Sequence, residues 1–240
     1  MRNRNAPVIA VDGPGSSGKS TVGARVAERL GLRFCDTGLF YRATTWLALE
    51  RRTSLGDGPA LAALVPDLRV EADPLGRYTR VLAAGRDVTG LVHGPRIEAV
   101  VSEVARQPEL RAALLGRQRE LAAGGGIVMA GRDIGTVVLP GADVKIYLDA
   151  SLAERARRRV LERGARAGET ETEDRIVLDE LRRRDAMDSG RETAPLRPAE
   201  DAIVICTDGY AIEDTVEAVL RAIESSGAGP SPGDPGLRAG

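Results

Sequence analysis

The stretch Gly13-Pro14-Gly15-Ser16-Ser17-Gly18-Lys19-Ser20 decides the fold. It has the form G-x-x-x-x-G-K-[ST], a phosphate-binding loop. Before it, Val8-Ile9-Ala10-Val11 reads as a buried strand. After it, Thr21–Leu30 reads as a helix with Val22, Val26 and Leu30 on one face. Strand, glycine loop and helix are the context this motif needs. The glycines let successive backbone N–H groups turn onto an anion. The helix N-terminus adds unpaired donors and a partial positive charge. Lys19 is placed to reach β- and γ-phosphates, and the Ser20 hydroxyl to take a position on Mg²⁺.

Composition narrows the class. A chain of 240 residues suits one α/β domain with insertions. A net charge of −1 gives no reason to expect nucleic acid or an acidic membrane as partner. No stretch approaches the roughly 18 apolar residues of a membrane span, and Met1–Asn5 is polar with no apolar signal region behind it. Cys35 and Cys206 each lie in an apolar run and are expected to be buried thiols in a reducing cytoplasm. Lys19 and Lys145 are the only lysines. The arginine bias weakens the meaning of any arginine cluster and strengthens that of a lysine in the phosphate loop.

Outward from the loop, Leu32–Asp36, Ile127–Ala130, Val144–Asp149 and Ala202–Cys206 read as further core strands. With Val8–Val11 they predict a five-stranded parallel sheet flanked by helices. Leu68–Ala72, Tyr78–Ala83 and Asp87–Leu91 are short, partly alternating runs separated by turns, expected as a small antiparallel three-stranded insert over about 66–95. The expected domain runs over 7–225, with core segments 7–65 and 124–225. Residues 1–6 form a flexible N-terminus, and a Gly/Pro/Ser-rich tail over 226–240 is expected to be disordered. Ser151-x-x-Glu154 opens a basic helix, a polar break spans Gly164–Glu171, and a charged helix follows. These features, over about 151–187, look like a helical lid. Phosphoryl transfer needs such a lid to keep water from the γ-phosphate.

The chain has two asparagines, Asn3 and Asn5, so the N-K-x-D guanine-reading motif is impossible. One histidine and no evident catalytic base suit an acceptor that is already an anion. Several further runs are specific: Asp36-Thr37-Gly38-Leu39-Phe40-Tyr41-Arg42, Ser102-Glu103-Val104-Ala105, Arg111, Gly131-Arg132-Asp133-Ile134-Gly135-Thr136-Val137-Val138, and Arg184-Asp185-x-x-Asp188-x-x-Arg191. With the phosphate loop they resemble the bacterial cytidylate kinases, in family order from about 7 to 224. Thr37 stands where serine is common, which keeps the hydroxyl.

The resemblance implies an ATP:CMP phosphotransferase that also takes dCMP, Mg²⁺-dependent, cytoplasmic and monomeric, with small-molecule substrates alone. It implies that Gly13–Thr21 hold ATP, with Arg155, Arg158 and Arg159 from the lid. It gives Thr37, Tyr41, Arg42, Ser102, Arg111, Arg132, Asp133, Arg184, Asp188 and Arg191 to CMP. Arg42 and Arg132 would hold the acceptor phosphate, while Ser102, Arg111 and Asp133 would read cytosine. Lys19, Arg132 and Arg184 would be catalytic. Arg184, Asp188 and Arg191 would share sugar and phosphate in an order left open. His93 reads as a loop residue. A kinase for UMP, AMP or shikimate, or a regulatory ATPase with no acceptor, are the alternatives.

Overall fold

The computed structural model describes residues 6–162 and 171–227. Most of the expected polar break in the lid, the first five residues and most of the Gly/Pro-rich tail lie outside these. The apolar runs become strands β1 (Val8–Asp12), β2 (Arg33–Asp36), β3 (Leu68–Ala72), β4 (Arg77–Ala83), β5 (Arg86–Asp87), β6 (Ile127–Gly131), β7 (Val144–Asp149) and β8 (Ile203–Cys206). The helices are α1 (Lys19–Arg29), α2 (Gly38–Arg51), α3 (Gly58–Ala62), α4 (Pro95–Val104), α5 (Pro108–Ala122), α6 (Leu152–Glu162), α7 (Glu171–Ser189) and α8 (Ile212–Ser225).

Strand alternation builds the layers. Ile127 and Met129 of β6 enter one core with Leu39, Phe40 and Leu47 of α2 and Leu110 and Leu114 of α5. Val128 and Ala130 enter the other, with Val22 and Val26 of α1 and Val216, Val219 and Ile223 of α8. β1 divides likewise, Ala10 to the first core and Ile9 and Val11 to the second. Both faces are covered, which is why the central strands read as unbroken apolar runs. Ala156 and Val160 of α6 pack on Val177 and Leu181 of α7, so the lid helices have their own small core.

Among the described residues the strand order is β3-β4-β2-β6-β1-β7-β8, with β5 on β4. The five expected parallel strands are neighbours here. The expected antiparallel insert is β3, β4 and β5, and β4 also pairs in parallel with β2, so it extends the same sheet. Its third strand is also shorter than the expected Asp87–Leu91. Asp87 accepts from the Thr89 backbone N–H and hydroxyl, and this local turn ends the strand. Cys206 is exposed, not buried. β8 is the last strand of the sheet. Ile205 faces the α8 core, so Cys206 points to the uncovered side.

Two contacts fix the phosphate loop. Asp12, at the end of β1, accepts 2.7 Å bonds from the N–H groups of Ile134 and Gly135. These begin a short π turn after β6, a feature the sequence does not signal. Burial pushes the Asp12 carboxyl up to about 6, against the pull of those two bonds. Gly13 has φ +155°, and a Cβ there would strike the Leu148 carbonyl oxygen and lie 2.8 Å from Ser17 Oγ. Gly13→Ala is therefore expected to destabilise the fold by about 1–3 kcal/mol, the usual cost of overpacking. Urea unfolding measures this, and an unchanged midpoint would mean that the loop and the end of β7 can move apart.

Candidate active site

The loops after β1, β2 and β6 open at one edge of the sheet, where parallel α/β folds place their ligands. Between them and helices α4–α7 lies a cavity of about 440 Å³. Gly15, Ser16, Gly18, Lys19, Ser20 and Thr21 line one part of it. Gly18, at φ 89°, caps α1 and exposes the amide end of the helix. Lys19 is buried, and its ammonium donates to the Pro14 carbonyl at 2.9 Å. Burial, with Arg132 beside it, holds the Lys19 pKa well below the usual range. A cation forced into such surroundings marks a cavity shaped for anions.

Gly13, Pro14 and Ser17 support the loop from outside the cavity. The Gly13 carbonyl accepts from Arg132 at 3.1 Å. Ser17 is buried, and its hydroxyl has no protein partner among the described residues. Ser20 donates to Asp36 Oδ2 at 2.5 Å. Asp36 also accepts from the Gly38 N–H, which holds its carboxylate at the start of α2. Sequence reasoning had not placed Asp36 in the site, although it opens the D-T-G run.

All ten residues expected at the acceptor line this same cavity. Arg111 and Asp133 are both buried and paired at 2.5 Å. Arg111 also donates to the Ala105 carbonyl, and its guanidinium lies 5.4 Å over the Tyr41 ring. Ser102, on α4, is buried beside them. The Thr37 hydroxyl donates to the Ala130 carbonyl at 2.9 Å, tying the end of β2 to β6.

Asp188 receives Arg132 at 2.8 Å on one oxygen and Arg191 on the other. Burial alone would push the Asp188 carboxyl up, but Arg132 and Arg191 outweigh it and hold it below its usual range. A surface ladder of ion pairs along α7 is thereby excluded, because Asp188 is 2% exposed. Arg184 turns elsewhere, to Glu98 at 2.8 Å, and its Nε has no protein partner among the described residues.

The three lid arginines separate. Arg159 reaches the cavity, but Arg155 and Arg158 do not. Arg155 is buried, pairs with Asp185 at 2.7 Å and donates to the Ala150 and Gly15 carbonyls. Arg158 donates to Thr207 O and Oγ1 and pairs with Glu154. Both therefore brace α6 against the loops in this conformation. Two further residues were not expected here. His93 lines the cavity, and burial and Arg42 lower its pKa. Glu98 binds Arg42, Arg159 and Arg184. A usable signal existed for Glu98: it lies one turn before Ser102 on the same face of α4.

The family model described as cytidylate kinase matches residues 9–225. A cytidylate kinase of Geobacillus kaustophilus is 47% identical over 215 residues, covering 90% of this chain and 95% of the relative. A cytidylate kinase of Exiguobacterium is 44% identical over 216 residues, covering 90% and 96%. A solved shikimate kinase from Acinetobacter baumannii aligns with 92% of this chain and 95% of its own, at a TM-score of 0.41 and 16% identity. That likeness is too loose to bear on substrate. On the strength of the family match and of near-complete coverage by these relatives, the chain belongs to the cytidylate kinase family.

Proposed function

We propose that the chain transfers the γ-phosphate of ATP to CMP and dCMP. The observation that carries this reading is the buried Arg111–Asp133 pair, with Ser102, in one cavity with Lys19 and the phosphate loop. Cytosine presents an N4 amine donor beside N3 and O2 acceptors. A carboxylate beside a guanidinium is the complementary edge, and the pairing of Arg111 with Asp133 holds the two in register. Tyr41 supplies an apolar floor under Arg111.

The acceptor oxygen of a nucleoside monophosphate is already an anion, so no general base is required. What the chemistry requires is cations that screen two phosphates from each other and stabilise charge that develops between them. In this reading Arg42, Arg132 and Arg191 take the acceptor phosphate, with Asp188 orienting the last two. Lys19 takes the γ-phosphate, and Arg184 and Arg159 close over the transfer. The Ser20 hydroxyl and Asp36 carboxylate are hard oxygen donors facing the phosphate loop, and they fit Mg²⁺. Among the described residues no group of three or more His, Cys, Asp or Glu could hold a metal alone, so the ion would arrive with ATP. Bound there, Mg²⁺ would offset phosphate charge. The reading assigns small-molecule substrates to a cytoplasmic monomer. No helix among the described residues is long and apolar enough to cross a membrane.

A coupled assay with ATP and a panel of acceptors tests the assignment. CMP and dCMP should be phosphorylated with kcat/KM at least tenfold above UMP and AMP, and shikimate should not react. Equal turnover with AMP or shikimate, or ATP hydrolysis with no acceptor dependence, would remove it.

Lys19→Ala should lower kcat by about 10²–10³, the scale of one lost transition-state contact of roughly 3–4 kcal/mol. A loss of under tenfold would take Lys19 out of the transfer step.

Asp133→Ala should lower kcat/KM for CMP much more than for UMP, because UMP carries a carbonyl where CMP has its amine. Arg132→Ala should lower both alike. Asp133→Ala also leaves Arg111 buried without its carboxylate, which costs stability. The CMP/UMP ratio is independent of how much enzyme is folded, so it isolates base reading. A ratio unchanged by Asp133→Ala would mean that the base is read elsewhere.

A further inference from the structure

Glu98 stands in the first turn of α4, where the helix dipole favours a carboxylate. It binds three arginines from three other helices: Arg42 of α2, Arg159 of α6 and Arg184 of α7. Arg42 takes one carboxylate oxygen, while Arg159 and Arg184 share the other. All four side chains are at most 19% exposed, so water screens them weakly. The three arginines line the cavity, and Glu98 does not. The carboxylate therefore lies behind the guanidinium groups. Burial would raise its pKa, but Arg42, Arg159 and Arg184 together hold it at about 2, so it stays charged at any working pH.

We propose that Glu98 is a positioning residue for phosphoryl transfer: it gathers Arg42, Arg159 and Arg184 so that their free donors point into the cavity together. A guanidinium has five N–H donors, and these contacts use one from each. Arg42 also donates to the Val92 carbonyl and Arg159 to Glu162, and the other donors stay available to phosphate oxygens. Three like charges this close repel, and each long side chain has many rotamers. Without the carboxylate the arginines would splay, and α6 and α7 would lose their tie to α4. This inference rests on the phosphotransfer reading above and adds a residue to it that touches neither substrate.

The sign of the effect separates this role from two others. Glu98→Gln removes the charge and keeps the shape. Loss of alignment lowers kcat, whereas ground-state attraction for the acceptor phosphate is sustained by the cavity's increased positive charge. We expect kcat for CMP to fall at least tenfold, with KM for CMP within threefold of wild type. Glu98→Asp, which keeps the charge, should recover most of the lost kcat. It also serves if Glu98→Gln folds poorly, and all assays are run well below each variant's melting temperature. In an Arg159→Ala background, Glu98→Gln should cost less than it does in the wild type, because one of its three partners is already gone.

An unchanged kcat in Glu98→Gln would overturn the proposal. So would a lower KM with kcat retained, which would mean that Glu98 competes with the phosphate for its arginines. A penalty undiminished by Arg159→Ala would do the same, by showing that Glu98 acts through another contact. Absence of CMP turnover in the wild type would instead overturn the phosphotransfer reading itself.

Discussion

Seven cationic side chains, Lys19 and six arginines, line one cavity, and their mutual repulsion is the constraint on which the rest of the structure depends. Like charges so close and so poorly solvated would unfold the site if left alone. Three carboxylates answer them. Asp133 takes Arg111, Asp188 takes Arg132 and Arg191, and Glu98 takes Arg42, Arg159 and Arg184. Among the described residues the Lys19 ammonium donates to the Pro14 carbonyl alone, and burial, with Arg132 beside it, lowers its pKa. Asp36 and Glu162 also line the cavity, so the positive charge is held in place and only in part offset. In the proposed reading such a site is preorganised for phosphate before any phosphate enters.

The scaffold serves that arrangement. Asp12 bonds the end of β1 to the π turn after β6, so the phosphate loop and the Arg132–Asp133 pair share one support. Arg132 bonds back to the Gly13 carbonyl from the other side. A shift of either strand would move donor and acceptor subsites together. The lid helices are tied in at several points, by Arg155 to Asp185 and Gly15 and by Glu98 to Arg159 and Arg184.

What could be read from the sequence is what is local. The phosphate loop is continuous, its glycines are required by backbone approach, and its strand and helix have distinct periods. The D-T-G-x-x-Y-R and G-R-D-I-G-T-V-V runs are likewise single segments, and every acceptor residue drawn from them lines the cavity. Features set by distant pairing were not readable. That β4 docks on β2 depends on Phe34 meeting Arg77, which no local pattern reveals. Cys206 belongs to an apolar run, but its exposure follows from its place on the face of β8 opposite the α8 core. Arg155, Arg158 and Arg159 are alike as sequence, and only the rotation of α6 decides that Arg159 reaches the cavity. The sequence puts Glu98 on the Ser102 face of α4, but not its three partners, which come from remote segments.

The pairing of β1 with β6 has a consequence for how the chain folds. Val8 lies in register with Ile127 on β6, and β7 completes the other side of β1. β1 lies inside the sheet, yet both its neighbours, β6 and β7, come much later in the sequence. Closing so long a loop is entropically costly, and such non-local contacts slow folding. On the ribosome, β1 and the phosphate loop must wait as an unpaired apolar segment until β6 emerges. The β2–β4 region, whose contacts are closer in sequence, is the part able to gain structure first. Folding order would thus run from the acceptor side of the molecule toward the nucleotide loop, opposite to the order of synthesis.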